Sequence, residues 1–219
     1  MKIKHPINLH KFLTFAVVLG LMAVYHNFSF APWVYLALHG TYGIMWLIKD
    51  RLYPDRQWSE EISVAAGIFT FAFLALYWAA PFLLISREVE PSAPLIAAAI
   101  AINIVGIVLH YGSDAQKYFT LKHQKGLITE GFFSRSRNPN YLGELLIYLS
   151  FAMLAQHWLP FVVLGLVTAL VFVPNMLKKD KSLSRYREFA EYKKRSGLLL
   201  PKLVVDRAAD SSIETAKAN

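Results

Sequence analysis

Cysteine is missing from this chain, which removes disulfides, thiolate metal sites and a cysteine nucleophile from consideration. No Gly-x-Gly-x-x-Gly or P-loop fingerprint occurs either, so a bound nucleotide must be held by something other than a Rossmann or P-loop fold. The histidines His39, His110, His123 and His157 show no ligand spacing of the His-Glu-x-x-His kind, and no metal site is expected. Charge is scarce, at 17% of residues. Internal repeats and low-complexity linkers are also lacking. With no inverted repeat and no pair of broken helices near the middle of the apolar runs, a transporter is disfavoured. One membrane domain is expected over 1–203, followed by a polar, disordered tail over 204–219.

What the chain has in abundance is apolar sequence. Such residues make up 55% of the 219, and mean hydropathy is positive. Six apolar runs stand out, over 12–27, 31–48, 62–86, 93–112, 141–156 and 158–177, each near or above the length that crosses a bilayer. The fold class expected is therefore all-α: a polytopic bundle of about six membrane helices. The N-terminal Met1-Lys2-Ile3-Lys4 could open a signal peptide, but no small-residue cleavage pattern follows Tyr25, so a retained helix is expected.

Basic residues give an orientation. Lys2, Lys4 and Lys11 precede the first run. Lys49, Arg51 and Arg56 follow the second, and Lys117, Lys122, Lys125, Arg135 and Arg137 lie between the fourth and fifth. With those after the sixth run, 22 of the 23 basic residues fall on one side and Arg87 alone on the other. Both termini are then cytoplasmic, and the net charge of +8 is a topogenic signal that does not argue for nucleic-acid binding. A multi-pass protein of this kind belongs in the inner membrane of a bacterium or the endoplasmic reticulum of a eukaryote. Beyond Leu177, the spacing of Leu183, Tyr186, Phe189, Ala190 and Tyr192 predicts an amphipathic cytoplasmic helix, with Leu198-Leu199-Leu200-Pro201 docking again on the membrane surface.

The most informative stretch is Ser136-Arg137-Asn138-Pro139-Asn140-Tyr141-Leu142-Gly143-Glu144. It carries a carboxylate into an apolar helix, where a charge is normally paired, hydrated or functional. Asn140, Tyr141 and Glu144 put an amide, a phenol and a carboxylate within about one turn, with 140 and 144 on one face. A plainer account has Asn140 capping the fifth helix after Pro139; capping and ligand contact are compatible. Asp114, closing the fourth run, either accepts hydrogen bonds from a ribose or is a helix-end group paired with a nearby lysine such as Lys117. His39 lies inside the second run with Tyr42 and Tyr35, as a packing group or as part of a site. Trp33, Trp46, Trp78 and Trp158 read as interfacial anchors.

Three blocks together resemble the C-terminal domain of the steroid 5-alpha reductase family: His110 to Asp114, Gly131-Phe132-Phe133 through Asn140-Tyr141-Leu142-Gly143-Glu144, and Tyr192 with Leu199-Leu200-Pro201. The His39-Gly40-Thr41-Tyr42 segment leading to Tyr53-Pro54 looks like that family's stretch before a cytoplasmic loop. The wider group includes sterol reductases and methyltransferases of the isoprenylcysteine carboxyl type. The resemblance implies NADPH in a pocket open to the cytoplasm and a lipophilic, steroid-like enone arriving from the bilayer. It implies that Asp114, Asn140, Tyr141 and Glu144 contact the cofactor while Tyr192 and Arg195 close the site. Lys117, Lys122, Arg135 and Arg137 suit the cofactor phosphates. Catalysis then needs a donor to the substrate carbonyl as its oxygen gains charge, and Tyr42 or His39 are the candidates.

Two other classes compete. A membrane methyltransferase using S-adenosylmethionine resembles the chain around Arg137-Asn138-Pro139 and Tyr141-Leu142-Gly143. In those enzymes an apolar residue follows the glycine and an acidic pair follows the last span; here Glu144 follows the glycine and Asp180 stands among lysines, which favours the reductase. A scaffold that kept the fold without the chemistry is the third reading. Oligomeric state is open.

Overall fold

Pro81 and Pro174 decide where two of the long helices are interrupted. A proline inside a helix removes the donor to the carbonyl four residues earlier, here those of Tyr77 and Leu170. The chain answers with a 3-10 turn at Leu76–Trp78 and a π-helical turn at Thr168–Phe172. In this computed structural model, which describes residues 1–203, the elements are α1 (Lys4–Val24), α2 (Phe30–Leu52), α3 (Val64–Ala75), α4 (Ala79–Ser86), α5 (Ala93–His123), α6 (Pro139–Ala155), α7 (Trp158–Val167), α8 (Val173–Leu183) and α9 (Phe189–Arg195). The turns join α3 to α4 and α7 to α8 into two longer rods, so two helices are interrupted near the middle of their apolar runs, where the sequence reading expects no such break. Among the described residues there is no strand, only isolated bridges. The tail expected from residue 204 lies outside the described residues.

Every apolar run becomes helix. Four segments are long and apolar enough to cross a membrane: Lys4–Val24, Val64–Ser86, Ala93–His123 and Trp158–Leu183. Polar residues lower the hydropathy of α2, and α6 is 17 residues long. α5, with 31 residues, is roughly 46 Å long, well beyond an apolar layer of about 30 Å. Its last turns continue as a more polar extension that carries Asp114 and Lys117, so Asp114 lies within the helix, not at its end.

α5 and α6 pack along their lengths. Gly106 and Gly143 meet there: a Cβ on Gly106 would lie 2.8 Å from the Gly143 carbonyl oxygen. Small residues allow such backbone approach in membrane bundles. One turn further along, Asn103 Nδ2 donates to Ser150 Oγ at 2.9 Å. The apolar core includes Val18, Met22, Leu84, Ile147, Phe151 and Leu154.

The polar C-terminal region differs from its expected form. α8 runs to Leu183, a turn follows, and α9 is a separate short helix whose Phe189 and Tyr192 are buried. The leucine segment 198–200 docks on the loop before α6. Arg137 N donates to Gly197 O and Gly197 N to Arg135 O, both at 2.9 Å. Ser136 Oγ reaches Leu199 O at 2.8 Å, and Asn138 Nδ2 reaches Leu198 O at 2.8 Å. These bonds satisfy backbone groups on both strips, so each holds the other in an extended form.

Two lysines and two tryptophans are placed otherwise than expected. Lys11 lies inside α1 and is 3% exposed, so it is an interior group and not a flanking cation. Trp46 is buried, donating to Asn8 Oδ1 at 3.0 Å, and Trp78 donates to Thr14 Oγ1 at 2.9 Å. Both are interior rather than anchoring. Lys49 is likewise buried.

Candidate functional site

The chain before α6 is polar and short of regular structure, so its groups turn toward whatever surrounds it. Around it the segment after α2 and the ends of α5 and α8 converge with α9. They border a cavity of about 360 Å³, lined among others by Lys117, Phe133, Arg137, Asn140, Tyr141 and Lys179. Asp55, Asn175, Lys178 and Tyr192 also contribute. Five of the twelve residues singled out in the sequence (Lys117, Arg137, Asn140, Tyr141 and Tyr192) thus share one cavity, and Lys122 and Arg135 do not line it.

Arg137 is the centre of its wall. Its Nε donates to both Asp180 oxygens, at 2.9 and 3.1 Å, and Nη1 donates to the Ser196 carbonyl and hydroxyl. The Lys179 ammonium donates to the Arg137 carbonyl at 2.8 Å. Asp180 therefore does not stand alone among lysines; the fold pairs it with an arginine 43 residues away. Lys117 pairs with Asp55 at 2.9 Å. Lys178, Lys179 and the balanced Lys117 and Arg137 leave the cavity with a surplus of positive charge. Asn140 does not cap α6: that helix starts at Pro139 with Asn138 in the cap position. The Asn140 carbonyl meets His110 Nδ1 at 3.1 Å, while its buried side-chain oxygen accepts no hydrogen bond among the described residues. Tyr192 donates to the Phe133 carbonyl at 2.7 Å. Burial pushes its hydroxyl up to about 12, so it stays a donor across the physiological range and pins α9 over the cavity.

The other residues go elsewhere. Asp114 pairs with Lys49 at 2.7 Å, both nearly buried, and not with Lys117. Arg195 does not line the cavity; its Nη2 donates to Thr129 O at 3.4 Å, which ties α9 to the α5–α6 loop. Glu144, one turn deeper than Asn140, faces an interior cluster where Tyr42 donates to it at 3.4 Å. His39 Nδ1 lies 2.9 Å from the Tyr35 hydroxyl, and its ring stacks on Phe151 at 4.2 Å. Neither His39 nor Tyr42 reaches the cavity; their spacing within α2 turns them into the bundle. Lys11 completes this cluster, donating to the Tyr148 hydroxyl at 2.7 Å. A helical lysine beside an apolar run gave no local sign of an interior position, since only contact with α6 distinguishes it from a flanking cation.

The Lys49–Asp114 pair invites a direct check. Asp114→Asn leaves the buried Lys49 ammonium without its carboxylate, and a loss of about 3 kcal/mol is expected. Thermal unfolding in detergent measures it; an unchanged midpoint would show that water already solvates the pair.

Residues 34–196 match the family described as a protein of unknown function, DUF1295. The chain belongs to that family. An uncharacterized protein of Schizosaccharomyces pombe is 33% identical to it over 69 residues, 31% of this chain and 25% of that protein. The chain thus matches about a quarter of the length of that curated relative. Within the DUF1295 chain, the matched region contains every residue named above as lining the cavity, together with Asp114, Glu144 and Arg195. It begins inside α2, so α1 and Lys11 precede it.

Proposed function

We propose that this protein is an integral-membrane reductase that uses NADPH to reduce a carbon–carbon double bond in a lipophilic, steroid-like enone. The observation that carries this reading is the cationic cavity with an unpartnered amide oxygen in its wall. A dinucleotide brings several negative phosphate oxygens, for which Lys117, Lys178, Lys179 and Arg137 are suitable partners. It also brings amide and ribose donors, which the free Asn140 Oδ1 accepts. Phosphate recognition by clustered cations needs no Rossmann fold. The likeness of the Asn140 to Glu144 segment to the steroid 5-alpha reductases points the same way.

Six membrane crossings with both termini cytoplasmic are part of the proposal. They put the cavity, the basic loops and the docked C-terminal strip on one side. The ends of α2, α5 and α8 and the start of α6 already share that side, which supports the alternation. When bound, reduced nicotinamide supplies a hydride. The protein's own groups orient and neutralise: Asn140 and Tyr141 form the wall nearest the bundle, the lysines balance phosphate charge, and Tyr192 with the 196–200 strip excludes water. Exclusion of water strengthens each electrostatic contact inside.

One observation favours the S-adenosylmethionine reading: Asp180 after the last long helix is held by Arg137, the arginine of the motif those enzymes share. Against it, the surplus of cations around the cavity disfavours a sulfonium. Binding separates the two. NADPH at about a hundredfold above its Kd is expected to stabilise the purified protein by about 2.7 kcal/mol, seen as a raised unfolding temperature. Lys179→Met and Asn140→Ala should each weaken that gain. Stabilisation by S-adenosylmethionine alone would sink the reductase and install the methyltransferase; no gain with either would favour the scaffold.

A further inference from the structure

An ammonium in the interior of an apolar bundle is retained where something compensates it. Lys11 has a partial answer. Its Nζ lies 4.1 Å over the ring of Tyr42, with the rings of Tyr148 and Trp46 at 5.1 and 5.3 Å. Such cation–π contacts stabilise a desolvated cation without neutralising it. Glu144 attracts Lys11 across the Tyr42 ring, but among the described residues no carboxylate comes within ion-pair distance of it. Its three hydrogens outnumber the one acceptor it meets among the described residues, the Tyr148 oxygen.

The donors beside it are also in excess. An ammonium donates and never accepts. The Tyr148 oxygen therefore accepts from Lys11, and its own hydrogen turns toward the Tyr42 hydroxyl oxygen. Tyr77 stacks on Tyr148 with ring centres 3.6 Å apart, and its buried hydroxyl has no partner among the described residues. Tyr42 is already committed to Glu144. A narrow slot of about 10 Å³, lined by Tyr77, Tyr148, Phe151, Pro160 and Val163, reaches these rings between α4, α6 and α7. The 3-10 turn at Leu76–Trp78 borders it, at the point where Pro81 has removed a backbone bond.

We infer that Lys11, Tyr148 and Tyr77 form an oxyanion site inside the bundle that takes the carbonyl or enolate oxygen of a lipophilic ligand from the bilayer. The enone form of the ligand rests on the reductase reading; the site itself rests on the donor excess. It moves the carbonyl-binding role from Tyr42 and His39 to residues on α1, α4 and α6. Tyr42 and Glu144 border it, while His39 meets the Tyr148 ring and His110 the Tyr42 ring, both edge to face.

A 4-nonyl-2-nitrophenol is a suitable probe, because ionisation moves its absorption band to longer wavelength and so distinguishes the phenolate from the neutral form. It would be titrated into the full-length protein in detergent, below the pH at which empty micelles ionise it. The wild type is expected to hold it as phenolate. Lys11→Met should weaken that ionised binding roughly tenfold or more, as for loss of a charge-assisted hydrogen bond. Tyr148→Phe should give a smaller loss, and Lys4→Met, on the surface, none. A neutral or unbound probe in the wild type, or a phenolate band that survives Lys11→Met, overturns the inference. Should Lys11→Met not fold, Tyr148→Phe decides alone, since it removes only a hydroxyl. The NADPH shift, measured on the same samples, fails or succeeds independently, which separates loss of this site from loss of the reductase reading.

Discussion

Arg137→Ala is expected to destabilise the protein by about 3 kcal/mol, because it leaves the Asp180 carboxylate buried without its counter-charge. The guanidinium also holds the Ser196 carbonyl and hydroxyl, so the strip over 196–200 loses one of its ties to the cavity wall. Thermal unfolding in detergent gives the first effect, and limited proteolysis after Leu183 the second. The double variant Arg137→Met with Asp180→Leu separates charge from shape. A buried pair replaced by apolar groups of like volume is often nearly neutral, so most of the lost stability should return while NADPH stabilisation stays low. If single and double variants are equally unstable, packing rather than an unpaired charge sets the cost.

Gly143→Ala should be as damaging for a different reason. A Cβ there would fall against the backbone nitrogen of His110, and lie 2.6 Å from the Gly106 carbonyl oxygen. Both obstacles are main chain, so relief requires α5 and α6 to part. Overpacking of this kind costs about 3 kcal/mol at its upper range. Separation would also shift Asn140 and Tyr141, one turn away on α6, so cofactor binding should fall along with stability. Gly165→Ala is the control. No described residue lies within 4 Å of its would-be Cβ, and alanine is favoured over glycine in a helix by about 1 kcal/mol. Equal loss at both glycines would mean that the α5–α6 contact is looser than its geometry indicates.

These two residues show how the motif divides. In sequence, Arg137, Asn140, Tyr141, Gly143 and Glu144 form one block, and periodicity puts 140 and 144 on one face. In space, Asn140 and Tyr141 line the cavity, Arg137 builds its wall, Gly143 sets the distance to α5, and Glu144 belongs to the interior cluster. One helical turn is about 5.4 Å, enough to carry Glu144 past the cavity and into contact with Tyr42. A shared face does not give a shared site.

The helical class, the membrane character and the approximate place of each long helix followed from the sequence alone, although α1 begins before its apolar run and α5 continues past its own. Transfer of apolar side chains from water is a local, nearly additive quantity, and a continuous run reveals it without reference to the rest of the chain. The breaks at Pro81 and Pro174 have equally local causes. Pairing is different. Lys11 meets Tyr148 across 137 residues and Arg137 meets Asp180 across 43, and the same side chains could as well have stayed in solvent. Only tertiary structure decided that Lys49 takes Asp114, that Asp55 takes Lys117, and that Lys11 lies inside the bundle. A charge has no preferred partner until packing removes the water that would otherwise serve it equally well.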